Sequence, residues 1–340
     1  MKSVVCFGEI MMRLNPEGYL RITQSDRFEA TYAGGEANVA VSLANLGDNS
    51  KFVTYVPDNL IGQSAINSVR HWGVDTSFMM KGGDRLGIYF VEKGASQRSS
   101  KVVYDRKHSS IAESSSDDYD WDRIFDGCDW FHFTGITPAL SDSLVAVCLD
   151  ACRKAKEKGI TVSLDLNYRN KLWSREKANA IMSEIVPYVD LLIANEEDAK
   201  DVFGITAKGA DVEKGSVSAD SYVDVARQLV DRFGCRKVAI TLRGSISAND
   251  NNWAGMLYDG DKAYVSRNYL IHIVDRVGGG DSFGAGLIYA LRHGYSEQDS
   301  IEFAVAASCL KQTIEHDYNL VSMEEVLALK NGSGSGRVQR

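Results

Sequence analysis

Three consecutive glycines followed by an aspartate are the strongest chemical signal in the sequence, within residues 275–287 (DRVGGGDSFGAGL). An extended stretch precedes them and a helical pattern follows, so the backbone N–H groups of Gly278, Gly279 and Gly280 can point together at a ligand. At a helix N-terminus such groups form a pocket suited to phosphate. Asp281 at its mouth would repel phosphate unless it accepts a proton from an attacking hydroxyl, as phosphoryl transfer to an alcohol requires. The alternative is a glycine-rich turn in which Asp281 caps its own helix.

A second glycine-bearing turn lies near the N-terminus, in residues 33–47 (AGGEANVAVSLANLG). Gly34 and Gly35 precede a helix of small residues, and paired glycines let a ligand approach the backbone closely. Asn38, on the first turn of that helix, is placed to hydrogen-bond sugar hydroxyls. A tight turn into a close-packed helix explains this segment alone equally well. Neither segment has the ending of a Walker loop or the spacing of a dinucleotide fingerprint.

The elements that must position these residues alternate between short apolar strands and helical patterns. Such alternation is typical of a parallel sheet covered on both faces, so the sequence predicts a doubly wound α/β fold. Ligands in such sheets bind at the carboxyl ends of the strands. The predicted strands are residues 4–8, 52–56, 130–134, 161–165, 191–194 and 237–242, and the predicted helices are residues 37–46, 61–72, 143–158, 175–186 and 221–233.

Two stretches interrupt this alternation, at residues 14–32 and 85–107. Their period-two patterns predict a few antiparallel strands that project from the main sheet as a lid, and long hairpin loops without a role are the alternative. No repeat or linker divides the chain, so we expect one domain over residues 1–330 and a flexible tail over 331–340. An open lid has an exposed strand edge, which predicts a homo-oligomer formed through the lid.

The composition excludes several classes of function. A net charge of −8 argues against a nucleic-acid partner, although a local cluster of arginines can still bind a small anion. The chain has no apolar run of about 20 residues, so we expect no membrane partner. Its first residues lack the regions of a secretory signal peptide. The six cysteines include no C-x-x-C pair, which favours reduced thiols in a cytoplasmic protein and no zinc site.

The two glycine-bearing segments, in this order and at this separation, resemble the signatures of ribokinase-like sugar kinases, also called PfkB kinases. The resemblance covers the chain from Val4 to about Ala328, and it implies a mostly parallel sheet flanked by helices, with a small β-sheet lid. In the usual D-T-x-G-A-G-D signature, Arg276 here replaces Thr and Gly279 replaces Ala. Because backbone groups form the phosphate pocket, neither change alters that expectation. The resemblance implies ATP as phosphoryl donor and Asp281 as the base.

Within this family, five segments are most similar to 2-keto-3-deoxygluconate kinases, which phosphorylate an acid sugar at O6. Arg106 and Arg169 are planar donors that match a carboxylate. A kinase for fructose, ribose or another sugar acid, and a non-catalytic sugar-binding module, are the alternatives. The five segments are residues 8–18, 88–94, 102–106, 132–140 and 164–169. The implied sugar-binding residues are Gly34, Gly35, Asn38, Tyr89, Tyr104, Arg106, Arg169 and Asp317.

The resemblance also implies a nucleotide site. Adenine is expected between the turn at residues 241–247 and the helix that contains residues 304–308. Asp198 ends an N-E-E-D segment that resembles the family's N-x-x-E motif, which organises Mg²⁺ through water; a helix N-terminus rich in acids is the alternative. A monovalent cation such as K⁺ is a further candidate cofactor. The implied ATP-binding residues are Asn167, Asn195, Thr241, Arg243, Gly244, Gly278, Gly280 and Ser308.

Overall fold

The computed structural model describes residues 2–195, 197–207 and 219–332. The strands are β1 (Ser3–Phe7), β2 (Met11–Asn15), β3 (Glu29–Ala33), β4 (Ser50–Val56), β5 (Met79–Lys81), β6 (Gly87–Glu92), β7 (Lys101–Asp105), β8 (Cys128–Thr134), β9 (Thr161–Asp165), β10 (Leu191–Asn195), β11 (Lys237–Ser245), β12 (Asp250–Tyr258), β13 (Ala263–Val265) and β14 (Tyr269–His272). The α-helices are α1 (Gly35–Asn45), α2 (Leu60–Arg70), α3 (Trp121–Ile124), α4 (Ile136–Ala139), α5 (Asp142–Glu157), α6 (Arg175–Ile185), α7 (Asp198–Phe203), α8 (Ala219–Phe233), α9 (Gly279–Arg292), α10 (Glu297–Lys311) and α11 (Met323–Lys330).

The main sheet has the order β13-β12-β11-β10-β9-β8-β1-β4-β5, and β14 pairs with β12. All pairs from β5 to β11 are parallel, whereas β12 pairs antiparallel with β11, β13 and β14. The six strands predicted from apolar runs all lie in the parallel part, which confirms the doubly wound α/β prediction. The antiparallel edge was not predicted, because a hairpin return extends the sheet there without the strand–helix alternation.

Helices cover both faces of this sheet, and each face has its own apolar cluster. Side chains of α5, α6 and α8 pack on one face, and those of α1, α2, α9 and α10 pack on the other. Leu144 and Val147 of α5 are fully buried, and each such side chain contributes about 1.5–3 kcal/mol to folding. All six cysteines are buried and free. Within the described ranges, no helix has both the length and the apolar character needed to cross a bilayer.

A second, smaller sheet stands beside the carboxyl ends of the main strands, in the order β3-β2-β6-β7. It confirms the predicted small sheet, but two details of the prediction are wrong. Its central pair, β2 and β6, is parallel, and only the outer pairs are antiparallel. Period-two alternation is the same for either strand direction, so the pattern could not distinguish them. The sheet also begins at Met11, before the predicted limit of residue 14.

Two features expected from the sequence fall wholly or partly on residues that the structure does not describe. Glu196, the second residue of the N-E-E-D segment, lies outside the described residues. The expected flexible tail over 331–340 also lies outside them, except for Asn331 and Gly332.

Candidate active site

One pocket lies where the small sheet meets the carboxyl ends of β1, β8 and β9. It brings together all eight residues expected to bind a sugar, and Asp281 lies among them. The lining residues are Glu9, Met11, Gly34, Gly35, Glu36, Asn38, Tyr89, Tyr104, Arg106, Ile136, Asn167, Arg169, Val277, Asp281 and Asp317. The two glycine-bearing segments therefore meet in space although 243 residues separate Asn38 from Asp281.

The carboxylate of Asp281 lies in the first turn of α9 and is partly buried. Its Oδ2 accepts a hydrogen bond from Nδ2 of Asn38 at 2.7 Å. Burial raises the pKa of Asp281 to about 6, and the charge of Asp317 adds to this rise, whereas the Asn38 bond opposes it. The N-cap residue of α9 is Gly278, so Asp281 does not hold the N-cap position. A carboxylate with this pKa is ionised at neutral pH yet can take up a proton.

The glycines before Asp281 present fewer free amides than the sequence predicted. The N–H of Gly279 donates to the carbonyl of Arg276 at 3.2 Å, and the N–H of Ser282 donates to the carbonyl of Gly278 at 2.9 Å. Between them, the amides of Gly280 and Asp281 have no acceptor in the described parts of the chain, as expected for the first turn of a helix. These two amides, with that of Gly278, are what the loop offers to an anion, and Gly279 is excluded.

Gly278 is required by its surroundings as well as by its backbone. Its φ is +84°, in the left-handed region that favours glycine, and a Cβ there would lie 2.1 Å from the carbonyl oxygen of Asp317. By contrast, a Cβ at Gly280 would meet nothing within 4 Å. The loop is therefore packed against Asp317 at Gly278 and exposed at Gly280.

The two glycines of the N-terminal pair have different roles. A Cβ at Gly34 would lie 1.8 Å from the carbonyl oxygen of Glu9, so this glycine is required for protein packing rather than for ligand approach. A Cβ at Gly35 would lie 3.5 Å from Thr134 Cγ2 and 3.6 Å from Asp281 Oδ1, which are ordinary contacts. Gly35 is the member of the pair that faces the carboxylate of Asp281.

The two arginines expected to bind a carboxylate have different surroundings. Arg106 is 7% exposed, forms an ion pair with Glu9, and stacks over the ring of Tyr104 at 5.1 Å. Arg169 is exposed and donates to the carbonyl of Tyr168 at 3.2 Å. Among the described residues, no carboxylate lies within ion-pair distance of Arg169. Sequence reasoning missed Glu9, which partly neutralises one of the two guanidinium groups.

Glu36 is a second buried acid that the sequence did not single out. Its Oε1 accepts hydrogen bonds from the N–H of Thr134 at 2.9 Å, from Thr134 Oγ1 at 2.8 Å and from Thr137 Oγ1 at 2.7 Å. Burial raises the pKa of Glu36 to about 7, against the effect of these bonds. Glu36 therefore joins α1 to the end of β8 beside the pocket.

Asp165 lies near the carboxylates of Asp198 and Asp281, and Asp281 belongs to the phosphate loop (residues 275–281). Burial raises the pKa of Asp165 well above its usual range, and the charges of Asp198 and Asp281 raise it further. Asp198 accepts hydrogen bonds from the N–H groups of Tyr168 at 3.2 Å and Asn195 at 3.1 Å. Within the described residues no group of three or more His, Cys, Asp or Glu could hold a metal directly. Oxygen ligands supplemented by water and phosphate are what Mg²⁺ prefers, so the donor set fits that ion.

The residues expected around the nucleotide are only partly together. Arg243 and Gly244 are exposed near the end of β11, where Arg243 lies over the ring of Trp253 at 5.7 Å. Thr241 is buried within the same strand. Asn167, with φ of +39°, lines the sugar-side pocket instead. Asn195 caps the turn into α7, because its Oδ1 accepts from the N–H of Asp198 at 3.0 Å.

Ser308 differs from the expectation that it contacts the nucleotide. It is fully buried, and its Oγ donates to the carbonyl of Gly279 at 2.6 Å. The hydroxyl is therefore used to hold α10 against the phosphate loop. The sequence places Ser308 in a helix near the site, but it does not show that the side chain faces the phosphate loop.

Comparisons with known proteins agree with this fold and identify the family. The model of the pfkB family carbohydrate kinases matches residues 1–318. A crystal structure of 2-dehydro-3-deoxygluconokinase from Thermotoga maritima is 48% identical, with a TM-score of 0.93 over 97% of this chain and 98% of that one. A pfkB family carbohydrate kinase from Listeria grayi is 34% identical, with a TM-score of 0.90 over 97% of this chain and 100% of that one. The 2-dehydro-3-deoxygalactonokinase of Haloferax volcanii is 29% identical over 98% of both chains. The chain therefore belongs to the pfkB family of carbohydrate kinases.

Proposed function

We propose that this kinase transfers the γ-phosphoryl group of ATP to the O6 hydroxyl of 2-keto-3-deoxy-D-gluconate (2-dehydro-3-deoxygluconate). The observation that carries the proposal is the position of Asp281. Its carboxylate, with a pKa raised to about 6, lies in the same pocket as Arg106 and Arg169 and beside the free amides of Gly280 and Asp281. A base, an anion pocket and two carboxylate-binding groups are what phosphorylation of an acid sugar requires.

In the proposed reaction Asp281 accepts the proton of the O6 hydroxyl as that oxygen bonds to the γ-phosphorus. The bond from the γ-phosphorus to the bridging oxygen of ADP breaks, and the electron pair leaves with ADP. The amides of Gly280 and Asp281 donate to the oxygens of the transferring group, where negative charge must be stabilised. Asn38 keeps Asp281 oriented through its hydrogen bond of 2.7 Å.

Mg²⁺ would be held near Asp165 and Asp198 through water and phosphate oxygens, and when bound it neutralises phosphate charge. Burial is the main cause of the raised pKa of Asp165, and the charges of Asp198 and Asp281, which a cation would offset, raise it further. The small sheet contributes Tyr89, Tyr104 and Arg106 to the pocket wall. It therefore acts as a lid that covers the sugar and excludes water, which suppresses hydrolysis of ATP.

The Thermotoga and Haloferax relatives are named for acids that differ in configuration at C4, so 2-keto-3-deoxygalactonate is the second candidate substrate. A panel of both acids, fructose and ribose with Mg·ATP decides among them by release of ADP. We expect the gluconate-derived acid to have the highest kcat/KM. A higher value for fructose or ribose would refute the acid-sugar proposal, and absence of turnover with every sugar would favour a non-catalytic binding module.

The arginine variants test recognition of the carboxylate. A hydrogen bond to a charged group contributes about 1.5–3 kcal/mol, so Arg169→Met should raise KM for the acid about 10- to 100-fold. KM for any neutral sugar that is phosphorylated should not change. Arg153→Met is the control, because Arg153 forms a surface ion pair with Asp150 on α5 and does not line the pocket. An equal rise of KM for acid and neutral sugars would contradict the role of Arg169.

A further inference from the structure

The small sheet places one arginine, Arg13 of β2, wholly inside the protein. Its side chain is 0% exposed. One terminal nitrogen forms an ion pair with Asp275 Oδ2 at 2.5 Å, and the other forms an ion pair with Asp317. Nε donates to Asn15 Oδ1 at 2.6 Å. A single planar guanidinium thus joins two carboxylates that belong to different parts of the chain.

One of these two carboxylates, that of Asp317, faces the pocket. Its second oxygen accepts a hydrogen bond from the hydroxyl of Tyr89 at 2.8 Å, and it lines the pocket beside Asp281. The carbonyl of Asp317 occupies the place where a Cβ of Gly278 would lie. Asp317 therefore contacts the pocket through its side chain and the phosphate loop through its backbone.

The other carboxylate belongs to Asp275, which is the first residue of the phosphate loop. Its Oδ1 accepts from the N–H of Val277 at 3.1 Å, directly before Gly278. Lys311 of α10 donates to the carbonyls of Asp275 at 3.2 Å and of His316, so a second buried cation lies behind the same pair. Arg13, its two carboxylate partners and Lys311 therefore form a buried polar network between β2, the phosphate loop and the segment before α11.

We propose that Arg13 is a positioning residue that fixes the sugar-binding carboxylate of Asp317 and the phosphate loop at Asp275 relative to each other. This inference rests on the proposed function and extends it to a residue that does not line the pocket. The fork of a guanidinium can bind two carboxylates at once in fixed directions, whereas the ammonium of lysine is a point charge without that geometry. Small misplacement of reacting groups costs rate even when the change lies away from the chemistry.

Burial alone does not distinguish a positioning role of Arg13 from a purely structural one. A matched control is therefore needed, and Arg292 provides it. Its side chain is 5% exposed, and it bridges Asp48 at 2.5 Å and Asp129 at 2.8 Å. It ends α9 at the opposite end from the phosphate loop, and none of its partners lines the pocket. Arg13 and Arg292 are therefore two arginines with little exposed side chain that each bridge two carboxylates, although Asp129 is 40% exposed; only Arg13 is bonded to a residue of the pocket.

The experiment compares Arg13→Lys with Arg292→Lys by thermal melting and by steady-state kinetics well below both melting temperatures. We expect both variants to have a lower Tm. Arg13→Lys should lose about 10- to 100-fold in kcat and raise the KM of the sugar several-fold, whereas Arg292→Lys should keep wild-type kcat and KM. A kcat/KM of Arg13→Lys within about threefold of wild type, or an equal loss in Arg292→Lys, overturns the proposal.

Asp275→Asn keeps the inference testable if Arg13→Lys does not fold. Because Asp275 contacts the phosphate loop and not the pocket, this variant should lower kcat and leave the KM of the sugar unchanged. An unchanged kcat in Asp275→Asn overturns the coupling to the phosphate loop. All kinetics use whichever sugar the wild-type enzyme phosphorylates best. Failure of the wild type with the acid sugars then refutes the proposed function alone, and the role of Arg13 is decided on the true acceptor.

Discussion

The acid limb of the pH–rate profile should report the ionisation of Asp281, and Asn38 should determine where that limb lies. Asp281 must be ionised to accept the proton of the sugar hydroxyl, so activity falls as the pH drops through its pKa of about 6. The hydrogen bond from Asn38 lowers this pKa because it stabilises the charged form. Asn38→Ala removes the bond and should move the acid limb to higher pH.

The size of the shift follows from the strength of the lost bond. A hydrogen bond to a charged group is worth about 1.5–3 kcal/mol, and 1.36 kcal/mol corresponds to about one pKa unit. Since the pocket is open to water, which replaces part of the bond, we expect the lower end of that range. A shift of about one unit lowers the ionised fraction of Asp281 at pH 6 about fivefold and changes it little above pH 8.

The assay is kcat/KM from release of ADP between pH 5 and pH 9, for wild type, Asn38→Ala and Asp281→Asn. Loss of a general base typically costs about 10²- to 10⁴-fold, so Asp281→Asn should retain only weak activity without the acid limb. Glu36, whose pKa is raised to about 7, titrates in the same window, and Glu36→Gln is the control that should leave the limb in place. An acid limb unchanged in Asn38→Ala, or one retained in Asp281→Asn, would refute the assignment of Asp281 as base.

The two glycines of the N-terminal turn and the buried Glu36 give further expectations. Gly34→Ala should cost about 1–3 kcal/mol in urea unfolding, because its methyl group would overlap the carbonyl of Glu9; an unchanged midpoint would contradict this. Gly35→Ala should keep the wild-type midpoint but lower kcat, because its methyl group would lie beside Asp281; a wild-type kcat would contradict that placement. Glu36 has a folded-state pKa of about 7 against a usual 4.5, so the folded state binds the extra proton and stability falls as pH rises between these values. The part due to Glu36 is roughly 3 kcal/mol, and Glu36→Gln should reduce the fall between pH 5 and pH 8 by about that amount, while the contribution of Asp281, whose pKa is raised to about 6, remains.

The main sheet was predictable because its strands are buried on both faces. Such strands read as continuous apolar runs, and β9 (Thr161–Asp165) has the predicted limits without correction. Strand β12 begins with the polar residues 250–252 and continues as the apolar run WAGMLY, but it pairs antiparallel with β11, β13 and β14 and was not among the predicted strands. It returns from β11 in a hairpin with no helix between the two strands, so the strand–helix alternation that identified the parallel strands does not extend to it.

The candidate site was predictable where its signal is local, and not where it depends on distant partners. The glycines and Asp281 were found because turn, helix start and acid follow each other in one segment. Arg13 was missed because its burial depends on Asp317, which lies 304 residues away. Glu9 was missed for the same reason, since its partner Arg106 lies 97 residues away. A charged residue in an alternating strand reads as exposed until the opposite charge beside it is known.

The difference between Arg106 and Arg169 has a consequence for how an acid sugar would be held. Arg106 is fixed by Glu9 and by the ring of Tyr104, and its buried Nε has no hydrogen-bond acceptor among the described residues. A ligand bound there costs little side-chain entropy, but Glu9 already offsets much of the charge. Arg169 is exposed and forms no ion pair among the described residues, although its charge lowers the pKa of Asp165 and of Asp281, and it must be ordered on binding at a cost of up to about 2 kcal/mol. Under the proposed function, Arg106 would therefore orient the sugar and Arg169 would attract its carboxylate, so the two arginines would complement each other rather than duplicate one role.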